Sequence, residues 1–207
     1  MSAALEAWDE LRRGNERFCE GLGGKVLSAV SSAERERLSR GQTPIAMVVA
    51  CADSRSAPEL IFDQGLGQLF TIRVAGQVLA PPQLASLEFA ATSLGTRLIV
   101  VLGHSGCGAV RATLDAMDQG ITPESPHLAS LVEALRRPLE ASGASQARDQ
   151  GEREAEAIAA NARWVAQSIL AESSVLRSLV DSDGLMVKSA FHDLYSGVVA
   201  ELRAPQD

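Results

Sequence analysis

Two short apolar runs, Ile45–Ala50 and Leu98–Leu102, constrain this fold more than any other feature. Each has the length and composition of a strand buried inside a domain. Between them the sequence predicts a short helix over 57–62, a strand over 69–74 and, after two prolines, a helix over 83–94. Strand, helix, strand, helix, strand is the order of parallel strands joined by helical crossovers. We therefore expect an α/β fold.

The rest of the chain is predicted to be mostly helical. Apolar residues at helical spacing predict an amphipathic helix over 3–19, and a polar helix is expected over 32–40. Further helices are expected over 108–117, 128–140, 153–170 and 173–180, with an exposed linker over 141–150. The stretch 184–191 is predicted to be a last strand, followed by a turn at Ser196 and Gly197.

Composition favours one domain that handles a small molecule. The 207 residues, 46% of them hydrophobic, can bury one full core, and the net charge of −7 leaves no basic surface for nucleic acid or an anionic membrane. No apolar stretch reaches the roughly 18 residues that cross a bilayer, and the first residues lack a signal-peptide pattern. Three cysteines are too few for a disulfide framework. We expect a cytoplasmic protein with free thiols.

Both apolar runs end in side chains that can bind a metal. The first run ends in Cys51, and the second is followed by His104 and Cys107. Ligands of open parallel sheets sit outside the carboxyl ends of the strands, so we expect these three residues to meet. Two thiolates and one imidazole suit Zn²⁺, and three protein ligands leave a fourth position open, as in catalytic sites.

Asp53 and Arg55 follow Cys51 and are expected to act together. Asp53 is the nearest candidate for the fourth ligand, but Arg55 can clamp its carboxylate and keep it off the metal. Asp53 would then accept a hydrogen bond from zinc hydroxide. Because two thiolates cancel the charge of the metal, we expect its bound water to be less acidic. The pKa of that water should lie above the value of about 7 known for water on zinc held by imidazoles.

Each of these residues also has a plainer interpretation. A single buried cysteine is often a small hydrophobic residue, and a pair such as Asp53 with Arg55 is often a weak surface ion pair. Cys19 is expected to pack on a helix face, His127 to stand at a helix start and His192 at a strand end. The spacing of His104 and Cys107 after a strand favours the metal.

The combined pattern resembles the β-class carbonic anhydrases. The resemblance rests on Cys51–Arg55 and Gly103–Gly108, and it extends over Pro58–Glu59, Phe62–Gly67 and Ser86–Glu88. It implies that Cys51, His104 and Cys107 hold one Zn²⁺ per chain, that Asp53 and Arg55 form a catalytic dyad, and that zinc hydroxide attacks carbon dioxide to give bicarbonate. It also implies roles at the substrate for Gln42, the backbone amide of Gly108, and the apolar side chains of Phe70 and Ala75.

The sequence departs from the family pattern at several positions. Ser56 stands where an apolar residue is usual, and Val74 and Gln77 stand where many members have Asn. Members inhibited by bicarbonate have a Trp at the position of Val48, although the Arg of that inhibitory site is present as Arg73. We expect the inhibitory Trp contact to be absent. A closed state in which Asp53 is the fourth zinc ligand remains an alternative.

The resemblance also implies an architecture and an assembly. The fold would be a mostly parallel central sheet flanked by helices in a single domain, residues 1–207, with a helical arm over 1–40 and an α/β core over 41–207. The arm would pack on a partner subunit in a homodimer, or in a tetramer of such dimers, with the site near the interface. Two alternatives remain: a hydrolase of carbonyl sulfide or carbon disulfide, and a non-catalytic module that zinc stabilises.

Overall fold

The structure is a computed structural model, and it describes residues 2–25, 31–142 and 149–203. Its centre is a five-stranded sheet in the order β2-β1-β3-β4-β5, in which every neighbouring pair is parallel except β4 with β5. The predicted α/β class with a mostly parallel sheet is therefore confirmed. The strands are β1 (Ala46–Ala50), β2 (Leu69–Arg73), β3 (Leu98–His104), β4 (Met186–His192) and β5 (Val199–Glu201).

Helices cover both faces of the sheet and follow the predicted order. The described helices are α1 (Ala3–Cys19), α2 (Ser32–Leu38), α3 (Pro58–Ile61), α4 (Pro81–Ser93), α5 (Gly108–Gln119), α6 (Pro126–Ala141), α7 (Gln150–Glu172) and α8 (Ser174–Asp183), with a 3₁₀ turn at Ala75–Gln77. Most of the predicted linker, residues 143–148, lies outside the described residues.

Two local predictions were wrong. The prolines at 81 and 82 were expected to precede a helix, but they form the first turn of α4. Proline suits that position because the first-turn N–H groups have no partner within a helix in any case. Strand β5 was not predicted, because its three residues are too few to show an alternating pattern; it pairs with β4, with His192 opposite Val199.

The strands place alternate side chains on opposite faces, and each face has its own core. On one face Val48 and Val100 pack with Trp8 and Leu11 of α1. On the other face Met47, Val49, Ile99 and Val101 pack with α4, α7 and α8. Every residue of β1 and β3 is buried, as expected for parallel strands covered on both sides. A third cluster surrounds Cys51 and Cys107 at the carboxyl ends of the strands.

Helix α1 is fixed to the sheet of its own chain. Gly14 lies so close to the carbonyl oxygen of Phe62 that a Cβ at Gly14 would stand 1.8 Å from it. The Asn15 amide donates to the carbonyl oxygens of Ile61 and Gly197, at 3.2 and 2.8 Å. Helix α1 buries part of its apolar stripe against the sheet of its own chain, whereas Leu5 and Phe18 stay exposed. The expected contact between the arm and a partner subunit stays a prediction. The division at residue 40 likewise stays a prediction.

Among the residues that the structure describes, no helix has both the length and the apolar character needed to cross a membrane.

Candidate metal centre

Three potential metal ligands meet at the carboxyl edge of the sheet. Register pairs Ala50 with Leu102, so Cys51 leaves β1 beside the end of β3, where His104 stands. Cys107 follows after a tight turn and is the N-cap residue of α5. The two thiol sulfurs and a ring nitrogen of His104 all lie within 4.8 Å of one another, and all three residues are buried. The structure therefore brings these three side chains together, as the sequence predicted.

The hydrogen bonds around His104 fix which nitrogen faces the cluster. Nδ1 lies 3.0 Å from the carbonyl oxygen of Ser105, to which it can donate a proton. Nε2 is buried and has no hydrogen-bond partner. A ligating imidazole commonly donates its other N–H to a carbonyl, which leaves the free nitrogen for the metal. The ring of His104 is therefore held as a ligand would be.

Each of the three groups affects the charge of the others. A hydrogen bond from Cys107, outweighing the effect of burial, lowers the pKa of Cys51 well below its usual range. The same interaction, together with burial, raises the pKa of Cys107. Burial opposes a charge on His104, but the Cys51 thiolate, the Ser105 carbonyl and the charge of Asp53 together outweigh it and raise the pKa of the ring. A thiolate is thus already favoured in the cluster, and thiolate is the form that binds metals.

Asp53 faces Arg55 rather than the cluster. Arg55 Nε donates to Oδ1 at 3.0 Å and Nη2 to Oδ2 at 2.7 Å, while the Arg55 backbone N–H donates to Oδ1 at 2.9 Å. Nη2 also donates to the carbonyl oxygen of Gly106 at 3.1 Å. These bonds hold the pKa of Asp53 well below its usual range. Oδ2 lies 4.0 Å from His104 Nε2, so the carboxylate borders the centre as an anion.

Arg73 holds the strand end that carries these groups. From the end of β2, its Nε donates to the carbonyl oxygen of Cys51 at 2.9 Å, and its Nη2 donates to that of Asp53. From the sequence alone, Arg73 was expected only as part of an inhibitory site. Register pairs Ala50 with Arg73, so this contact depends on how the strands align.

The predicted pocket residues do not all reach the centre of their own chain. Ala75 begins the 3₁₀ turn whose next residue, Gly76, donates its N–H to Cys51 Sγ at 3.3 Å. Gly108 is exposed beside Cys107, and a Cβ there would meet nothing within 4 Å. Phe70, however, pairs with Met47, four residues before Cys51 and so roughly 13 Å away along the strand.

Gln42 lies still further away. It precedes β1 and lines a surface pocket with Leu38 and Gly67, residues that precede β1 and β2. Nearby, the Pro44 carbonyl accepts a hydrogen bond from Thr96, which precedes β3. Gln42 is thus at the amino edge of the sheet, and the five residues of β1 span about 16 Å. Within one chain it does not reach Cys51.

One buried polar pair near the centre was missed by sequence analysis. Ser56 Oγ lies 3.1 Å from His192 Nδ1, and both side chains are buried. Burial, and secondarily the charge of His104, lowers the pKa of His192 to about 4, so the ring is neutral. His192 ends β4 as predicted, and His127 stands in the first turn of α6. Cys19 ends α1, but its side chain is exposed, so the expectation that it packs was wrong.

Comparisons with known proteins agree with this geometry. A family model described as carbonic anhydrase matches residues 46–199. Carbonic anhydrase 2 of Mycobacterium tuberculosis is 48% identical over 119 residues, which are 58% of this chain and 56% of that protein. The chain thus spans little more than half the length of this curated relative.

Solved structures share the fold. A β-carbonic anhydrase of Aspergillus fumigatus superposes with a TM-score of 0.75 at 26% identity, over 87% of this chain and 88% of that one. A structure described as a tetrameric β-carbonic anhydrase of Sordaria macrospora gives 0.76 at 23% identity, over 86% and 90%. With the family model matched over most of the core, the chain belongs to the carbonic anhydrase family, in its β class.

Proposed function

We propose that this protein catalyses the reversible hydration of carbon dioxide to bicarbonate and a proton, at one zinc ion per chain held by Cys51, His104 and Cys107. The observation that carries the proposal is the cluster of these three donors with the Asp53–Arg55 pair on its border. A site that only ties two strands together would need no such carboxylate beside it.

The donor set fits zinc. Two sulfurs and one imidazole nitrogen are ligands that Zn²⁺ prefers, and the unpartnered buried Nε2 of His104 is the atom that a metal would satisfy. Three protein ligands leave one coordination position for a small molecule. When bound, zinc would act as a Lewis acid and activate water for attack on the carbon of carbon dioxide.

Asp53 and Arg55 would orient the attacking water. Because Arg55 keeps Asp53 ionised at neutral pH, its carboxylate is an acceptor only, and it would take a hydrogen bond from the water and direct a lone pair at the substrate. Arg55 in turn is held by Gly106, beside the two ligands of the second strand end. Arg55 thus positions Asp53, and Asp53 contacts the reacting water.

Bicarbonate would form beside the start of α5. Gly108 is the first residue of that helix, so its N–H has no partner within the helix and can donate to an anionic oxygen. The space free of atoms around the Cα of Gly108 leaves room for a small substrate there. Ala75 would contribute an apolar wall beside Cys51.

Gln42 and Phe70 would act across a subunit interface. Neither reaches the centre of its own chain, and both lie towards the edge strand β2, where a partner can dock. We propose a homodimer in which the partner subunit's Gln42 and Phe70 complete the substrate pocket, with tetramers of such dimers as the larger assembly. The related Sordaria structure is tetrameric by its description.

We also propose a cytoplasmic location. All three cysteines are free, and a metal centre with two cysteine ligands needs a compartment that keeps thiols reduced.

Stopped-flow hydration of carbon dioxide, on protein of measured zinc content, tests the function directly. We expect about one zinc per chain, loss of activity on chelation and recovery on adding zinc. Arg55→Ala should retain zinc but lose about 10²-fold or more in turnover, because Asp53 is no longer oriented. Zinc-loaded protein without activity, or an Arg55→Ala variant as active as the parent, would refute the proposed catalytic function. Faster turnover of carbonyl sulfide or carbon disulfide would reassign the substrate.

Mixed dimers test the shared pocket. A chain carrying Cys51→Ser and a chain carrying Gln42→Ala are each expected to be impaired alone. If Gln42 acts on the partner, a dimer of the two has one site with both zinc and an intact Gln42, and activity returns. If Gln42 acted in its own chain, the mixed dimer would stay impaired.

A further inference from the structure

We propose that Asn161, on the far helix α7, is a positioning residue for the metal ligand Cys51, acting through the backbone of Gly76. This inference rests on the metal centre of the proposed function but concerns a residue that touches neither metal nor substrate. Asn161 is 1% exposed, and its Nδ2 donates to the carbonyl oxygen of Gly76 at 2.8 Å. The N–H of Gly76 in turn donates to Cys51 Sγ at 3.3 Å.

The peptide unit between Gly76 and Gln77 is held at both ends. Asn161 binds the carbonyl oxygen of Gly76, and the N–H of Gln77 donates to the carbonyl oxygen of Val74 at 2.9 Å. Val74 is itself paired with the metal-bearing segment, because its N–H donates to Ala50 and its carbonyl oxygen accepts from Ala52. The orientation of Gly76 relative to Cys51 is therefore set by Asn161 on one side and by the strand pairing on the other.

This turn adopts a conformation that needs support. Gly76 and Gln77 have φ values of 64° and 42°, both in the left-handed region. Glycine accepts that region freely, but for Gln77 it is uncommon and costs energy, so a surrounding structure must hold it. In addition, both polar atoms of the buried Gln77 side chain lack hydrogen-bond partners. The Gln77 side chain therefore does not hold the turn in place.

Asn161 adds a side-chain hydrogen bond to the backbone bond from Gln77 to Val74, and together they lock the turn. A Cβ at Gly76 would stand 3.0 Å from Leu135 of α6 and 3.3 Å from Ala109 of α5, so apolar contacts confine the turn without fixing the direction of its peptide groups. A hydrogen bond does fix that direction, because it weakens steeply with misalignment. Removing it loosens the Gly76–Gln77 peptide unit, and the neighbouring Ala75–Gly76 unit can then turn its N–H away from Cys51.

A hydrogen bond to a ligating sulfur tunes the metal. The N–H of Gly76 draws electron density from the Cys51 sulfur and holds its lone pairs in direction. Partners outside the ligand set commonly change metal affinity by about 10- to 100-fold when they are lost. Since Asn161 acts on the ligand through one further contact, we expect its loss to lower zinc affinity by about 10-fold, the lower end of that range.

The test compares Asn161→Leu with Asn15→Leu. Leu has nearly the shape of Asn but cannot donate. Asn15 is a matched control, since it is also buried and clamps backbone carbonyls, but it lies on α1, across the sheet from Gly76. Two measurements are made on each protein: zinc affinity by competition with a chelator, and the sulfur-to-cobalt charge-transfer bands of the Co²⁺-substituted protein.

We expect Asn161→Leu to bind zinc about 10-fold more weakly and to move the charge-transfer bands to longer wavelength, because a sulfur without its N–H donor gives up an electron more easily. Asn15→Leu should lose stability but keep both properties. If Asn161→Leu does not fold, Asn161→Ser, which cannot reach Gly76 directly, serves in its place.

Unchanged affinity and bands in the Asn161 variant, or equal changes in both variants, would overturn the inference. A parent protein that binds neither zinc nor cobalt would instead overturn the proposed function.

Discussion

Replacing Asp63 by Asn is a sharp test of how the N-terminal helix is anchored. Asp63 follows α3, and its side chain is 2% exposed. Oδ2 accepts from Arg17 Nε of α1 at 2.7 Å, and Oδ1 accepts the backbone N–H groups of Gly24 and Lys25, both at 2.9 Å. One carboxylate therefore joins α1, the segment after it and the core.

The loss of stability expected for Asp63→Asn follows from which hydrogen bonds the asparagine can still make. Asn keeps the volume of Asp and tolerates the φ of 44° at this position. Its carbonyl oxygen can still accept from Gly24 and Lys25, but its NH₂ group then faces Arg17, donor against donor. A hydrogen bond to a charged group is worth about 1.5–3 kcal/mol. Because the Arg17 side chain is 29% exposed, water relieves part of the loss, and we expect about 2 kcal/mol.

The stability difference between the parent protein and Asp63→Asn should shrink as the pH falls. Burial alone would raise the pKa of Asp63, but Arg17 and the two backbone donors outweigh it and lower the pKa below the ordinary 3.8. The stabilisation is therefore complete above pH 3.8 and is lost as pH falls through the lower pKa of the folded state. The parent protein should lose its advantage over Asp63→Asn in acid, because its own carboxylate becomes protonated.

Urea unfolding of the zinc-free proteins at equal concentration, at neutral pH and at about pH 3, measures both effects. At neutral pH the melting temperature should also fall, by about 4–8 °C for a chain of this size. Asp118→Asn is the control, since Asp118 pairs with Arg153 at the surface and should matter little. A variant as stable as the parent at neutral pH, or a deficit undiminished in acid, would refute the reasoning.

Two further substitutions test packing. Gly14→Ala should destabilise the protein by about 3 kcal/mol in urea unfolding, because the new Cβ would meet the Phe62 carbonyl oxygen at 1.8 Å. Gly24→Ala is the control and should be neutral, because a Cβ there meets nothing within 4 Å. Equal effects of the two substitutions would contradict the structure. Ser56→Ala should cost about 1–3 kcal/mol, because it leaves His192 Nδ1 buried without its partner, while the zinc content stays unchanged; a fully stable variant would show that this pair contributes little.

Much of the fold could be predicted because it depends on local patterns. The periodicity of 3–19 predicted α1 at its observed bounds, and the two apolar runs predicted β1 and β3 to within a residue or two. Strand β5 could not be predicted, because three residues show no period and their pairing is with a strand that lies beyond a turn.

The sequence by itself determined the chemistry of the centre. Cys51, His104 and Cys107 follow two apolar runs, and parallel strands bring their carboxyl ends to one edge whatever the details of packing. That rule needs only the order of the elements, which local patterns carry.

Only the tertiary structure decided how those residues are held. That Asp53 faces Arg55, that Arg73 binds the Cys51 carbonyl, and that Asn161 supports Gly76 all depend on strand register and helix placement. It also decided that Gln42 lies at the opposite edge of the sheet from Cys51. Hydrogen bonds between groups distant in sequence depend on angles and on distances of a few tenths of an ångström, and residue spacing along a chain does not carry that information.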